Sequence, residues 1–312
     1  MAQQEPQTTS RVIMIRPVRF TSNPETAASN SFQAEIGSRD PAEIRAAARA
    51  EFDGLVAQLE QAGVEVAVFE DLAEPYTPDA LFPNNWLTTH ADGTAVLYPM
   101  QAPSRRKERR PDILDALESD GFRIAQRVDL GPEEGKGRFL EGTGSLILDR
   151  PGRVAYACLS PRTDAGLFEE WCQRFGYRPE AFRAVADGTA IYHTNVMMWI
   201  GQSLACACLE AIPDPGERER IRTSLEQSGR ELIEIRKEQM AAFAGNMLEL
   251  RDASGNAVLA LSQAARNSLD EDQRARLEAR ARLVSADITT IETYAGGSVR
   301  CMLAENFLPR EK

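Results

Sequence analysis

Asp40-Pro-Ala-Glu-Ile-Arg-Ala-Ala-Ala-Arg-Ala50, running on to Gly63 and followed by Val64-Glu-Val-Ala-Val-Phe69, is the stretch whose reading decides the fold. Asp is a strong helix N-cap, Pro fits the first helical position, and Gly63 is a helix stop. The alternation around Glu65 then predicts a strand. Working outward, Arg11–Ile15 reads as a short buried strand, and helices are predicted over Arg105–Asp120, Thr163–Phe175, Asp214–Gln227 and Ser268–Arg280. Between them lie apolar strands: Thr94–Met100, Ser145–Leu148 with Val154–Leu159, Thr194–Ile200 with Leu204–Ile212, and Met247–Leu250 with Val258–Ser262. The helices start near residues 40, 105, 163, 215 and 268, at intervals of 65, 58, 52 and 53. A unit of two or three strands plus one helix, used five times, predicts an α/β ring of modules about an axis. An open α/β sheet also alternates strands and helices, and the intervals leave both layouts standing. Residues 1–10 are polar and predict a frayed tail, and residues 11–312 a single domain. Gly131–Gly137 reads as a loop rather than a linker.

The 312 residues are 43% hydrophobic and 27% charged, a globular composition, with a net charge of −11. That balance argues against nucleic acid or an anionic membrane as partner, while leaving room for a basic pocket that holds a small carboxylate. No apolar run reaches transmembrane length, and the start, MAQQEPQTTS, lacks a secretory pattern. Five cysteines without a CxxC pair predict reduced thiols in a cytoplasmic protein.

Two histidines, His90 and His193, exclude a His-rich metal site, and no metal or other cofactor is called for. His90 precedes Ala91-Asp92-Gly93 and is expected to face solvent at a turn. His193 stands where polar residues meet an apolar strand. Cys301, in Ala295-Gly-Gly-Ser-Val-Arg-Cys-Met302, follows two glycines that let backbone come close, with Arg300 beside it to favour a thiolate or to point away. Cys158, Cys172, Cys206 and Cys208 read as inert and buried. Glu141, in Leu140-Glu-Gly-Thr-Gly-Ser145, is a carboxylate that a ligand can approach. Asn84 and Asn85, in Pro78-Asp-Ala-Leu-Phe-Pro-Asn-Asn-Trp86, fit turn chemistry and function alike. Asn85 to Glu141 is 56 residues, Glu141 to His193 is 52, and His193 to Cys301 is 108, two steps of 54 with Asn246 near the middle. Equivalent points of five modules would converge on one pocket.

These residues resemble the guanidine-modifying (pentein) superfamily of arginine deiminases, dimethylarginine dimethylaminohydrolases and amidinotransferases. The resemblance implies a five-bladed α/β propeller with Cys301 as nucleophile, His193 as acid–base and Glu141 as its acidic partner. Ala102-Pro-Ser-Arg-Arg-Lys-Glu108 and Ser160-Pro-Arg-Thr163 resemble motifs that hold a substrate carboxylate, which implies Arg106 and Arg162. Arg105, Lys107, Arg109 and Arg110 are then expected on a solvated helix face. Asp79 matches an aspartate shortly before the family's Glu-Asp or Arg-Asp pair, and the resemblance implies a part for it in substrate binding. The family's aspartates are replaced by Asn85 and Asn195, and the one that closes its acidic-Gly-Gly motif by Gly144. A guanidinium offers donors only, whereas a neutral ureido group offers both an acceptor and donors, which an amide can match. The motifs are similar above all to a bacterial citrulline-utilisation hydrolase subgroup, sharing Arg16–Phe20, Asn23–Thr26, Phe82–Trp86, Glu141–Ser145 and His193–Met198. The implied ligand is a small ureido or guanidino amino acid. Arginine or methylarginine hydrolysis, amidinotransfer and a non-catalytic ring remain alternatives, and self-association is left open.

Overall fold

A computed structural model describes residues 5–27, 30, 32–34, 39–186 and 188–311. Within them one pattern recurs: an antiparallel strand pair, a helix, and a third strand parallel to the second. In the second module β3 (Leu87–Thr89) pairs antiparallel with β4 (Thr94–Leu97), the chain passes through α4 (Pro111–Ser119), and β5 (Gln126–Asp129) joins β4 in parallel. The third repeats this with β6 (Leu146–Asp149), β7 (Val154–Cys158), α6 (Ala165–Phe175) and β8 (Arg178–Phe182). After a small hairpin of β9 (Val185–Ala186) and β10 (Thr189–Ala190), the fourth uses β11 (Met198–Ile200), β12 (Leu204–Ala207), α7 (Pro215–Gln227) and β13 (Glu231–Glu234). The fifth uses β14 (Leu248–Arg251), β15 (Ala257–Ser262), α10 (Glu271–Glu278) and β16 (Arg282–Ala286).

The first module is completed from both ends of the chain. β1 (Arg11–Arg16) lies parallel to β2 (Glu65–Glu70) across α2 (Pro41–Gln61), and the missing antiparallel strand is β17 (Ala304–Glu305). Among the described residues this makes five three-stranded sheets, each with the same order. The open-sheet alternative is excluded, because these sheets are separate.

Local chemistry accounts for the elements. Asp40, Asp164 and Asp214 accept from the backbone N–H of Ala42, Leu167 and Glu217 and so cap α2, α6 and α7. Each such cap contributes about 1 kcal/mol. The predicted helix over 105–120 is split: a single turn, α3 (Pro103–Arg106), is separated from α4 because Pro111 cannot donate to a continuing helix and pushes Arg110 to φ −115° and ψ 89°. The predicted start at Ser268 moves to Glu271, where Asp270 accepts from Gln273 in a capping box. Thr194–Val196, expected as strand, is a tight helical turn.

The core lies between sheets and helices, anchored by fully buried Phe52, Trp86, Tyr156, Phe168 and Trp171. Two expectations fail here. His90 is 5% exposed rather than solvent-facing: its ring stacks on Phe175, Nδ1 lies 3.3 Å from Glu5, and Nε2 meets Thr88. The tail prediction fails from Glu5 onward, since Gln7, Thr8 and Thr9 are buried; residues 1–4 lie outside the described part. The Gln7 amide donates to the carbonyls of Leu148 and Ile200 and accepts from Arg150 N–H, so this polar segment is buried with its hydrogen bonds made.

Candidate active site

In each module a short turn leads into the first strand of the sheet. These turns are Pro83–Asn85, α5 (Gly142–Ser145), Thr194–Val196, Gly245–Met247 and α12 (Val299–Met302). They touch one another in sequence. α5 packs on the turns at 83–85 and 194–196, and α12 on that at 83–85. Asn246 donates to the carbonyl of Asn195, and its own carbonyl accepts from Arg300 N–H. The side chains singled out by their spacing sit on or beside these five turns.

They border a small cavity of about 20 Å³ lined by Asp79, Asn85, Arg105, Arg162, His193 and Cys301, with Thr26, Asn30, Phe82 and Tyr192 around them. Glu141 stands behind His193 and accepts from its Nε2 at 2.8 Å, while the second carboxylate oxygen accepts from Gln101 N–H at 2.9 Å. Both residues are nearly fully buried. Burial pushes the Glu141 carboxyl up, but the His193 hydrogen bond and the charges of Arg162 and Arg105 outweigh it and hold the group near about 2. Burial also lowers His193, to about 4 against an ordinary 6.5, so at neutral pH the imidazole is uncharged. With Nε2–H given to Glu141, the lone pair sits on Nδ1. That nitrogen faces Gly144, where an added Cβ would lie 2.8 Å from it.

Cys301 is 5% exposed. The side-chain amides of Asn195 and Asn246 each donate to its Sγ at 3.3 Å. Arg300 points away from it, to Glu305 at 2.8 Å and the Leu303 carbonyl, which settles the two orientations left open by the sequence. The four other cysteines are buried and free, and burial pushes Cys158, Cys172 and Cys208 up to about 12.

Asp79 is held by Asn23 at 2.8 Å, with Arg105 at 3.8 Å, and burial drives its carboxyl upward. The Arg162 guanidinium lies over the Tyr192 ring and within 3.8 Å of Glu141. Two expected positions are elsewhere. Asn84 is buried behind the wall, its carbonyl accepting from Thr143. Arg106 does not line the cavity: it donates to the carbonyls of Met100 and Gln101 and faces Glu134. Its neighbour Arg105, expected in solvent, is 2% exposed and reaches the site instead. Consecutive helical residues point about 100° apart, so the single turn α3 can turn only one of the two inward. Tyr192 and Asn30 also line the cavity without having been singled out, and Phe82 and Thr26, inside the quoted Phe82–Trp86 and Asn23–Thr26 stretches, were given no role of their own.

The family model described as N,N dimethylarginine dimethylhydrolase, eukaryotic, matches residues 16–308. No curated protein matches the sequence. Among solved structures, the N-terminal domain of ArgZ, an arginine dihydrolase from the ornithine-ammonia cycle in cyanobacteria, bound to substrate, aligns with a TM-score of 0.73 at 16% identity, covering 95% of this chain and 97% of that one. AgrE in complex with L-arginine gives 0.73 at 17% identity over 95% of this chain and 40% of its own. This chain spans 41% of the ArgZ chain whose apo structure is known. The dimethylarginine hydrolase of Pseudomonas aeruginosa, complexed with citrulline, gives 0.66 at 15% identity, covering 96% and 100%. These likenesses carry the mixed α/β fold, and the family match carries the assignment: the chain belongs to the dimethylarginine dimethylhydrolase family of the guanidine-modifying superfamily, a family of cysteine-dependent hydrolases of non-peptide C–N bonds.

Proposed function

We propose that this chain hydrolyses the ureido C–N bond of citrulline, or of a closely similar ureido amino acid, through a covalent intermediate on Cys301. The carrying observation is the set of groups around the sulfur. Asn195 and Asn246 present amides to it, and Glu141 is engaged by His193 and Arg162, while Asp79 meets Asn23 and Arg105 through Oδ2 and keeps Oδ1 without a hydrogen-bond partner among the described residues. The two groups that touch the sulfur are thus neutral amides, which suit a neutral ureido group, and Asp79 Oδ1 is the one carboxylate oxygen among the described cavity residues left for a guanidinium.

His193 takes the Cys301 proton on Nδ1, and the sulfur attacks the ureido carbon. The C–N bond breaks as His193 returns that proton to the departing nitrogen. An S-carbamoyl group remains. His193 next takes a proton from water, whose oxygen bonds to the carbon as the C–S bond breaks, and the thiol regains the proton. Carbamic acid then separates into ammonia and carbon dioxide, leaving ornithine. Glu141 fixes the imidazole and stabilises its transient cation. Arg162 holds the substrate carboxylate. The ring of five contacting turns supports reading the five sheets as blades of a propeller about this cavity. Five free thiols suit a reducing cytoplasm.

A second reading, hydrolysis of arginine or a methylated arginine, is favoured by the family match and by Asp79 in the wall. A panel of citrulline, arginine and dimethylarginine at equal concentration, read as ammonia and ornithine released, separates the two. Ornithine from citrulline alone supports the first; turnover of the guanidino compounds without citrulline overturns it.

A further inference from the structure

Arg105 spends almost all of its donors inside the protein. Its Nε and Nη2 grip the buried Glu108 carboxylate, at 3.1 Å and 2.9 Å. Nη2 also reaches the Phe82 carbonyl at 3.4 Å, and Nη1 donates to Asn85 Oδ1 at 2.8 Å. So engaged, it is poorly placed to clamp a ligand carboxylate. Its effect falls on Asn85. A guanidinium has no acceptor, so the Asn85 atom that meets it must be the oxygen, and the amide nitrogen is forced to the other side. There Asn85 Nδ2 is buried with no hydrogen-bond partner among the described residues, although Asn85 lines the cavity. The space that a Cβ on Gly144 would fill lies 2.4 Å from this nitrogen and 2.8 Å from His193 Nδ1, so the unpaired donor stands beside the acid–base group.

We propose that Arg105 is a specificity-determining positioning residue: by locking the Asn85 amide with its nitrogen towards the cavity, it makes position 85 a reader of a carbonyl oxygen and a barrier to a donor-only guanidinium. The proposal rests on the ureido reading above and adds the residue that enforces it. Facing Nδ2, a ureido oxygen satisfies a buried donor. A guanidinium N–H meets it donor to donor and leaves both unpaired, a difference of about tenfold to a hundredfold in selectivity.

Two variants test it, read as the ratio of kcat/KM for citrulline to that for arginine, with the competitive Ki standing in for a compound that is not turned over. Asn85→Asp keeps the shape and the Arg105 contact but replaces the donor by an acceptor. The double variant Arg105→Met with Glu108→Leu removes the lock and replaces a buried ion pair by apolar groups, an exchange folds commonly tolerate. The expected result is a ratio lowered at least tenfold in Asn85→Asp and by about tenfold in the double variant. Partial unfolding scales both substrates equally and leaves the ratio where it was. If wild-type protein consumes citrulline and both variants keep its ratio within about twofold, the role of Arg105 is refuted while the ureido reading stands. If wild-type protein consumes arginine and not citrulline, the ureido reading fails and this proposal with it.

Discussion

Glu141 and His193 divide one task. In the proposed reaction burial keeps the resting imidazole neutral, the carboxylate orients it and favours its transient cation, and the imidazole moves the proton. Because burial lowers His193 to about 4, the base stays unprotonated well below the ordinary 6.5. The acid limb of kcat/KM is therefore expected near pH 4, not near 6.5. Glu141→Gln removes a group that favours the imidazolium, so the limb moves lower still and kcat falls by about a hundredfold or more. A pH–rate profile of both proteins checks this. A second residue-scale expectation concerns Gly144. A methyl there would press on Asn85 Nδ2 at 2.4 Å and His193 Nδ1 at 2.8 Å. Gly144→Ala should thus cut kcat at least tenfold with little change in thermal stability, since it displaces side chains at a cavity edge. These roles were legible in part. Cys301, His193, Glu141, Asn85 and Asn246 stood out because residue types with chemistry recurred at near-equal spacing, whereas Asn195 entered through the family resemblance. Arg105 did not, because within a run of six charged residues nothing in the order of letters tells which one a single helical turn will carry inward.

The turns at the strand mouths and their supports form the next scale. α11 (Thr289–Ala295) carries Glu292, which accepts from Ser298 Oγ at 2.6 Å and so ties the segment leading into α12 and Cys301. Burial pushes this carboxyl up to about 7 from 4.5, despite the hydroxyls of Ser262 and Ser298. The folded protein thus holds a proton that the unfolded chain has released, and the stability this contributes is lost as pH rises from 4.5 through about 7. Glu292→Gln is expected to gain stability relative to wild type at pH 8 and to gain little or nothing at pH 5, as thermal unfolding at the two values will show. Helices with Asp caps and Gly stops were readable in advance. The parallel third strands β5, β8, β13 and β16 were not, because they form sheet edges with mixed exposure and carry no clean alternation.

At the scale of the molecule, both ends of the chain complete the first sheet, and the segment before β1 seals the far side. Glu5 pairs with buried Arg150 at 2.6 Å, and Arg150 lies over the Phe307 ring. Glu5→Ala leaves that guanidinium buried and unpaired, so a loss of about 3 kcal/mol is expected, seen as a lowered urea midpoint with activity retained below it. The five-unit organisation was visible as a rhythm of helices. The burial of residues 7–9 was not, since polar side chains buried with satisfied hydrogen bonds read in a sequence like solvated ones. The central claim is that Cys301 carries the carbon of the substrate covalently. Intact-mass and peptide measurements on protein quenched during citrulline turnover test it most directly. The account predicts a carbamoyl group on the Cys301 peptide, formed and lost at rates that match turnover, and neither adduct nor ornithine with Cys301→Ser. Unchanged ornithine production by Cys301→Ser would contradict it.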